Sequence, residues 1–190
     1  MGLNFWQTDT LRLRAVEPED WRIFADWDLD SESARLCYAI PFPPSSEQQQ
    51  KKAMEMASSR GENDVYTWLM ESQTGEVVGI INTFGADRRN RTFGYGLAVR
   101  REHWGKGYAS QAVRLVLRYY FDELGYQKCT VDVYDFNTAS IGLHQKLGFT
   151  QEGCTRRMIF TQGAYHDNLI FGITAEEFRA GQAAVQASQK

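Results

Sequence analysis

The chain has 190 residues with a net charge of −3 and 43% hydrophobic residues, enough for one globular domain with a real core and cramped for two. Its 21 basic and 24 acidic residues give no global reason to bind nucleic acid or an anionic membrane. Three isolated cysteines, Cys37, Cys129 and Cys154, argue against a disulfide framework or a metal site; without a signal-peptide pattern or an 18-residue apolar run, the expectation is a soluble cytoplasmic protein.

Thr10–Arg14 alternates and reads as a first strand, and Pro18-Glu19-Asp20 opens a short helix carrying Trp21, Phe24, Ala25 and Trp27. After the rigid Pro41-Phe42-Pro43-Pro44 loop, Ser45-Ser46-Glu47 starts a polar helix to about Arg60. Tyr66–Glu71 and Val77–Phe84 read as strands joined by the turn Gln73–Glu76, and a second turn at Ala86–Asn90 leads into a strand over Phe93–Val99. Ala109, Ala112, Val113, Val116 and Tyr120 share one helix face, with Arg114 and Arg118 elsewhere, and the helix stops near Gly125. Lys128–Tyr134 is a strand and Thr138–Leu147 a helix. Arg157–Phe160 and Tyr165–Ile173 pair across Gln162-Gly163, and a short polar helix or frayed tail begins near Ala175. The order is that of a mixed α/β domain of seven strands and four helices spanning 1–190, its core over about 10–173. The helical crossover between Val99 and Lys128 predicts a right-handed parallel strand pair.

Trp104-Gly105-Lys106-Gly107-Tyr108-Ala109-Ser110 joins a strand to an amphipathic helix. A small-residue turn there exposes backbone N–H groups at the positive end of a helix, which is a phosphate cradle. A Walker loop fails, because Gly105-Lys106 is followed by Gly107 and position 100 is Arg100. A dinucleotide fingerprint is supplied only in its first half; it also wants a ribose-binding acid at the end of the next strand, and Asp122 and Glu123 lie in the helix.

The segment resembles the acetyl-CoA-binding motif of the GCN5-related N-acetyltransferase (GNAT) superfamily, Gln/Arg-x-x-Gly-x-Gly/Ala. Gly107 and Ala109 hold that pattern and Trp104 departs from it. Asn137-Thr138-Ala139-Ser140 and the helix ending Leu147-Gly148-Phe149 are similar to the second signature of the superfamily. Glu152-Gly153 and Gly163–Asp167 resemble the branch that includes the ribosomal-protein alanine and serine acetyltransferases. The resemblance implies a mostly antiparallel mixed sheet of about seven strands, splayed at the parallel pair of strands four and five and flanked by about four helices. It also implies acetyl-CoA as cosubstrate, no metal, and a homodimer. Amides from Gly105 to Ser110, including those of Tyr108 and Ala109, would hold the diphosphate, with Lys106 adding charge and Gly107 free to take a positive φ. The backbone of Leu97, Ala98 and Val99 would hold pantetheine. Asn137 would touch the cofactor or shape its own turn, and Ser140 would do the same or cap backbone.

Acetyl transfer needs a neutral amine, a held oxyanion and a departing thiolate. A strand amide near Val99 serves the second, and an N-terminal amine, with a pKa of about 7.7–8, needs only a modest base. Asp132, mid-strand where aspartate is disfavoured, lies five residues before Asn137 and matches a catalytic glutamate of the resembling branch; it is either the base or a carboxylate facing solvent or an arginine. His144 stands where the superfamily usually has a thiolate-protonating tyrosine, and it reads as acid, as base, or as a partly buried histidine without a chemical duty. Tyr134, Tyr108 and His166 are the reserves.

The acceptor is expected among Trp21, Trp27, Tyr38, Phe42, Met158 and Phe160, most of them core residues. The acidic run Asp26–Glu32 either attracts a cationic amine or solvates a helix end. A protein N-terminus and a small amine both stay open as acceptor. The alternative to an enzyme is a non-catalytic acyl-CoA-binding regulatory module of the same fold.

Overall fold

The computed structural model describes residues 4–37 and 39–187. Tyr38 therefore lies outside the described residues. The strands are β1 (Leu11–Ala15), β2 (Thr67–Ser72), β3 (Val77–Asp87), β4 (Thr92–Val99), β5 (Lys128–Tyr134), β6 (Thr150–Thr161) and β7 (Ala164–Thr174). The α-helices are α1 (Trp21–Trp27), α2 (Ser31–Cys37), α3 (Ser46–Ser58), α4 (Tyr108–Arg118), α5 (Thr138–Leu147) and α6 (Ala175–Ala187). Strand pairing runs β1-β2-β3-β4-β5-β7-β6. The pairs β1–β2, β2–β3, β5–β7 and β6–β7 are antiparallel, and β4–β5 is parallel as the crossover predicts. Among the described residues the parallel ladder joins only Thr92 to Lys128 and Phe93 to Cys129, while β4 runs on to Val99.

Two compact units divide the chain: Met1–Phe84 with Gly96–Leu115, and Gly85–Tyr95 with Val116–Lys190. In the first, period-two alternation turns Leu11 and Leu13 inward on β1. Ser45 caps α3 by accepting from the Gln48 N–H, and Gln48 answers with a bond to the Ser45 N–H. Val16, Phe24, Ala53, Leu69 and Val77 form the buried cluster, with Trp21 and Trp27 packed half-buried against it. Arg14 bridges Asp20 and Glu71, fixing the turn before α1 to β2. Close approach also matters on β3. A Cβ on Gly79 would stand 2.6 Å from the Ala98 carbonyl oxygen and 3.3 Å from the Val99 Cα.

In the second unit, Phe93 stacks on Tyr120 at 4.1 Å and meets Phe121 and Tyr126 edge-on. Val116 and Tyr120 of the amphipathic segment are buried here, as its periodicity predicts; in the first unit Ala112 and Val113 are buried and Ala109 is half-buried. One π-turn, Tyr119–Glu123, follows α4, and Gly125 at φ 72° ends it. Gln162 and Gly163 both take positive φ, 51° and 76°, which closes the β6–β7 hairpin with the twist such strands need.

Among the described residues six α-helices are present where four are expected. The additional α2 is short and buries no residue; α6 docks the supposed tail by burying Ala175 and Phe178. Phe178 packs against Phe121, and burial of that size contributes roughly 1.5–3 kcal/mol. β6 also starts earlier than expected, at Thr150, because its first half is an exposed strand without an apolar alternation.

Gly79→Ala will lower the unfolding free energy by about 1–3 kcal/mol, because backbone on β4 cannot step aside as a flexible side chain would. Urea denaturation measures this, and an unchanged midpoint would show that the β3–β4 approach tolerates a methyl group.

Candidate active site

After β4 the chain makes a short helical turn, Arg101–His103, and enters the loop before α4. Gly105 and Gly107 are both left-handed, at φ 75° and 82°. A Cβ on Gly105 would meet nothing within 4 Å, and one on Gly107 would come no nearer than 3.8 Å to any neighbour. Backbone conformation, not crowding, therefore demands glycine here, and the side where a Cβ would stand is open. With the α4 N-terminus directly behind it, this loop has the shape and polarity a diphosphate requires. Lys106 is exposed beside it, while Tyr108, Ala109 and Ser110 form the half-buried first turn. The Ser110 hydroxyl donates to the Gly107 carbonyl at 2.9 Å. Gln111 Oε1 accepts from Thr8 at 2.6 Å and Thr10 at 2.8 Å, pinning that turn to the N-terminal segment.

Trp104, which departs from the motif, closes the loop onto the strand before it. Its indole N–H donates to the Val99 carbonyl at 2.7 Å. The Arg101 guanidinium lies 5.1 Å from the Trp104 ring centroid. The Arg100 N–H donates to the Val78 carbonyl, and the Cys37 thiol faces the Leu97 carbonyl at 3.9 Å. Leu97, Ala98 and Val99 are thus half-buried at a strand end held by Trp104 and β3.

The acidic run is spent internally. Asp26 pairs with Arg100 at 2.7 Å, Asp30 with Arg101 at 2.7 Å, and Glu32 with Arg35 at 2.9 Å. Asp28 accepts from the Gln49 side-chain amide. Hydrogen bonds from Arg101, then from Ser33, hold the Asp30 carboxyl far below the usual carboxylate range. Of the aromatic wall, Phe42, Met158 and Phe160 are exposed and are not core residues.

On the second unit, Asn137 caps α5 by accepting from the Ser140 N–H at 3.0 Å, and Gly148 at φ 92° ends the helix. Asn137 and Ser140 therefore shape this turn, whatever else they touch. His144 lies one turn on and is buried at 4% exposure, deeper than a partly buried surface histidine. Its Nδ1 is 2.8 Å from the Ser140 carbonyl, with the Ser140 hydroxyl at 3.3 Å, and its Nε2 is 2.8 Å from the Tyr95 hydroxyl. A carbonyl can only accept, so Nδ1 carries the proton and Nε2 accepts from Tyr95. Tyr95, Phe149 and Phe171 surround the ring. Burial pushes the His144 pKa below 6.5, against the raising effect of the Ser140 carbonyl, and burial pushes the Tyr95 phenol well above 10. Asp132 is exposed on β5, where it accepts from the Asn168 side-chain amide on β7 at 2.7 Å; no arginine occupies that place. His166 pairs with Asp135 at 3.2 Å.

The class is that of the acyl-CoA-handling acetyltransferases: residues 10–150 match the acetyltransferase (GNAT) domain family. The chain belongs to that family and is an N-acetyltransferase. It is 43% identical over 178 residues to the SPbeta prophage-derived N-acetyltransferase YokL of Bacillus subtilis (strain 168), covering 94% of this chain and 97% of that one. Spermidine N(1)-acetyltransferase of Escherichia coli (strain K12) is 25% identical over 90% of this chain and 89% of its own length. Spermidine N-acetyltransferase from Vibrio cholerae, solved with CoA and spermine, shares the fold at a TM-score of 0.78 and 22% identity, covering 90% of this chain and 99% of that one. Acetyl-CoA is the donor that the family uses, and the open glycine loop fits its diphosphate.

Sequence reasoning passed over Tyr95. Its alternation with Phe93 marks both as buried, and a buried phenol needs a partner; that was the available signal. The Arg100 and Arg101 pairs had no local signal.

His144 makes stability pH-dependent with a definite sign. Its pKa is depressed in the fold, so the unfolded chain binds more protons between the folded value and about 6.5. Stability is complete above that window and declines as pH falls through it. Denaturant unfolding from pH 7 to 5 will show this decline, reduced in His144→Gln; equal slopes for both proteins would mean that folding leaves the His144 pKa unshifted.

Proposed function

We propose that the protein transfers the acetyl group of acetyl-CoA directly, in a ternary complex, to a primary amine of low basicity such as a protein N-terminus. The carrying observation is that Asp26, Asp28, Asp30 and Glu32 all have partners within the fold. A run so engaged is poorly suited to gathering a polycation, whereas a lone α-amine, with a pKa of about 7.7–8, does not need it. A partial match supports the same direction: 27% identity over 104 residues to a putative ribosomal N-acetyltransferase, YdaF, of Bacillus subtilis (strain 168). The polyamine reading draws its support from the spermidine acetyltransferases among the relatives.

In this reading the Gly105–Ser110 amides and Lys106 hold the diphosphate, the Leu97–Val99 backbone orients pantetheine, and Asn137 and Ser140 support the cofactor from α5. Acetyl-CoA supplies an activated thioester whose thiolate leaves readily. Asp132, exposed and oriented by Asn168, takes the amine proton through water. His144, neutral and occupied on both nitrogens, fixes Tyr95 and does not serve as a free acid. Positioning carries most of the rate.

Thiol release from acetyl-CoA across an amine panel tests the acceptor. Peptides with free N-termini should turn over, the same peptides blocked by acetylation should not, and spermidine should be poor. Preferential turnover of spermidine would replace this acceptor class, and CoA binding with no transfer to any amine would favour the non-catalytic module. For the base, Asp132→Asn should lower turnover by about 10²-fold with an unchanged Kd for acetyl-CoA; full activity across the acidic range would remove Asp132 from proton transfer.

A further inference from the structure

His103 is buried at 6% exposure in the turn that precedes the glycine loop. Its Nε2 is 3.1 Å from Glu76 Oε1 in the β2–β3 turn, and its Nδ1 is 3.3 Å from the Lys106 ammonium. The edge of the ring meets Tyr108 of α4 at 6.0 Å between centroids. The chemistry of the partners fixes the tautomer. A carboxylate only accepts, so Nε2 carries the proton and donates to Glu76; an ammonium only donates, so Nδ1 must present its lone pair to Lys106. No other tautomer satisfies both contacts.

We infer that Glu76 and His103 are positioning residues that hold the Lys106 ammonium at the glycine loop for the diphosphate of the cofactor. The inference rests on acetyl-CoA binding at that loop. A lysine on an exposed loop is a flexible point charge that loses much rotamer freedom when it meets a phosphate. An imidazole lone pair gives it a fixed seat without neutralising its charge, as a carboxylate would. Glu76 contributes indirectly, by keeping the imidazole proton on the far nitrogen.

A double-mutant cycle on CoA affinity, measured by calorimetry, tests this. His103→Phe should weaken CoA binding roughly three- to tenfold, the scale expected for one side chain that must be ordered on binding. On a Lys106→Met background the same change should have no further effect. Glu76→Ala, on an exposed turn, should weaken binding in the same direction even if His103→Phe folds poorly. Pantetheine, which lacks the diphosphate, should bind all variants alike. Additive losses in the cycle, or equal losses for pantetheine, would reduce His103 to a packing residue and overturn the inference. A wild-type protein that binds no CoA would instead overturn the acetyl-CoA reading beneath it.

Discussion

The end of β4 is where the first unit is most constrained. A backbone carbonyl at a strand end, half-buried, must find a donor or lose about 1–3 kcal/mol in desolvation. Val99 finds it in the Trp104 indole, five residues on, and this one bond decides how the chain leaves the strand. The turn must be tight enough to bring residue 104 back, so the following residues take left-handed conformations that only glycine adopts without cost. The first turn of α4 then begins where its free N–H groups have an open side. On the opposite side of β4, Gly79 lets β3 approach to within the reach of the Ala98 carbonyl. The strand end is fixed from two directions, and the phosphate loop inherits its position from it.

The second unit solves a different problem, a buried polar ring. An unpaired imidazole at 4% exposure would cost several times the net worth of its hydrogen bonds. Both nitrogens are therefore satisfied, by Ser140 within the helix and by Tyr95 on β4. Satisfaction removes freedom. The His144 lone pair already accepts from a phenol, and burial disfavours its charged form. The pair His144–Tyr95 thus props the helix turn that Asn137 caps.

Legibility in the sequence followed the range of the interactions. β5 and α5 were read with their observed bounds because their signals are local: alternation for one, an Asn cap and a Gly stop for the other. The hairpin turn at Gln162-Gly163 and the apolar face of α4 were equally plain. The positive φ of Gly107 was legible because φ preference is a property of single residues. α2 escaped, since a seven-residue helix that buries nothing has no periodicity to find. The docking of α6 escaped because Phe178 needs Phe121, far away in the chain, to explain it. The burial of His144 was underestimated for the same reason; its cage comes from Tyr95 on β4, Phe171 on β7 and Phe149, two residues past its own helix.

The acidic run shows why a donor site can be read locally and an acceptor site cannot. Asp26 and Asp30 sit four residues apart, and the two arginines that meet them are consecutive, Arg100 and Arg101, separated from them by 74 and 71 residues. Taken alone, the carboxylates look like a lure for cations. Taken with their partners, Asp26 and Asp30 are struts between α1–α2 and the turn that leads to the glycine loop. Ion pairs this exposed contribute little to stability, typically under about 1 kcal/mol each. Their consequence is therefore less to hold the fold than to set what charge the neighbouring surface presents. The same arginine that neutralises Asp30 also lies over the Trp104 ring, so one side chain joins the closure of the phosphate loop to the removal of an acidic attraction.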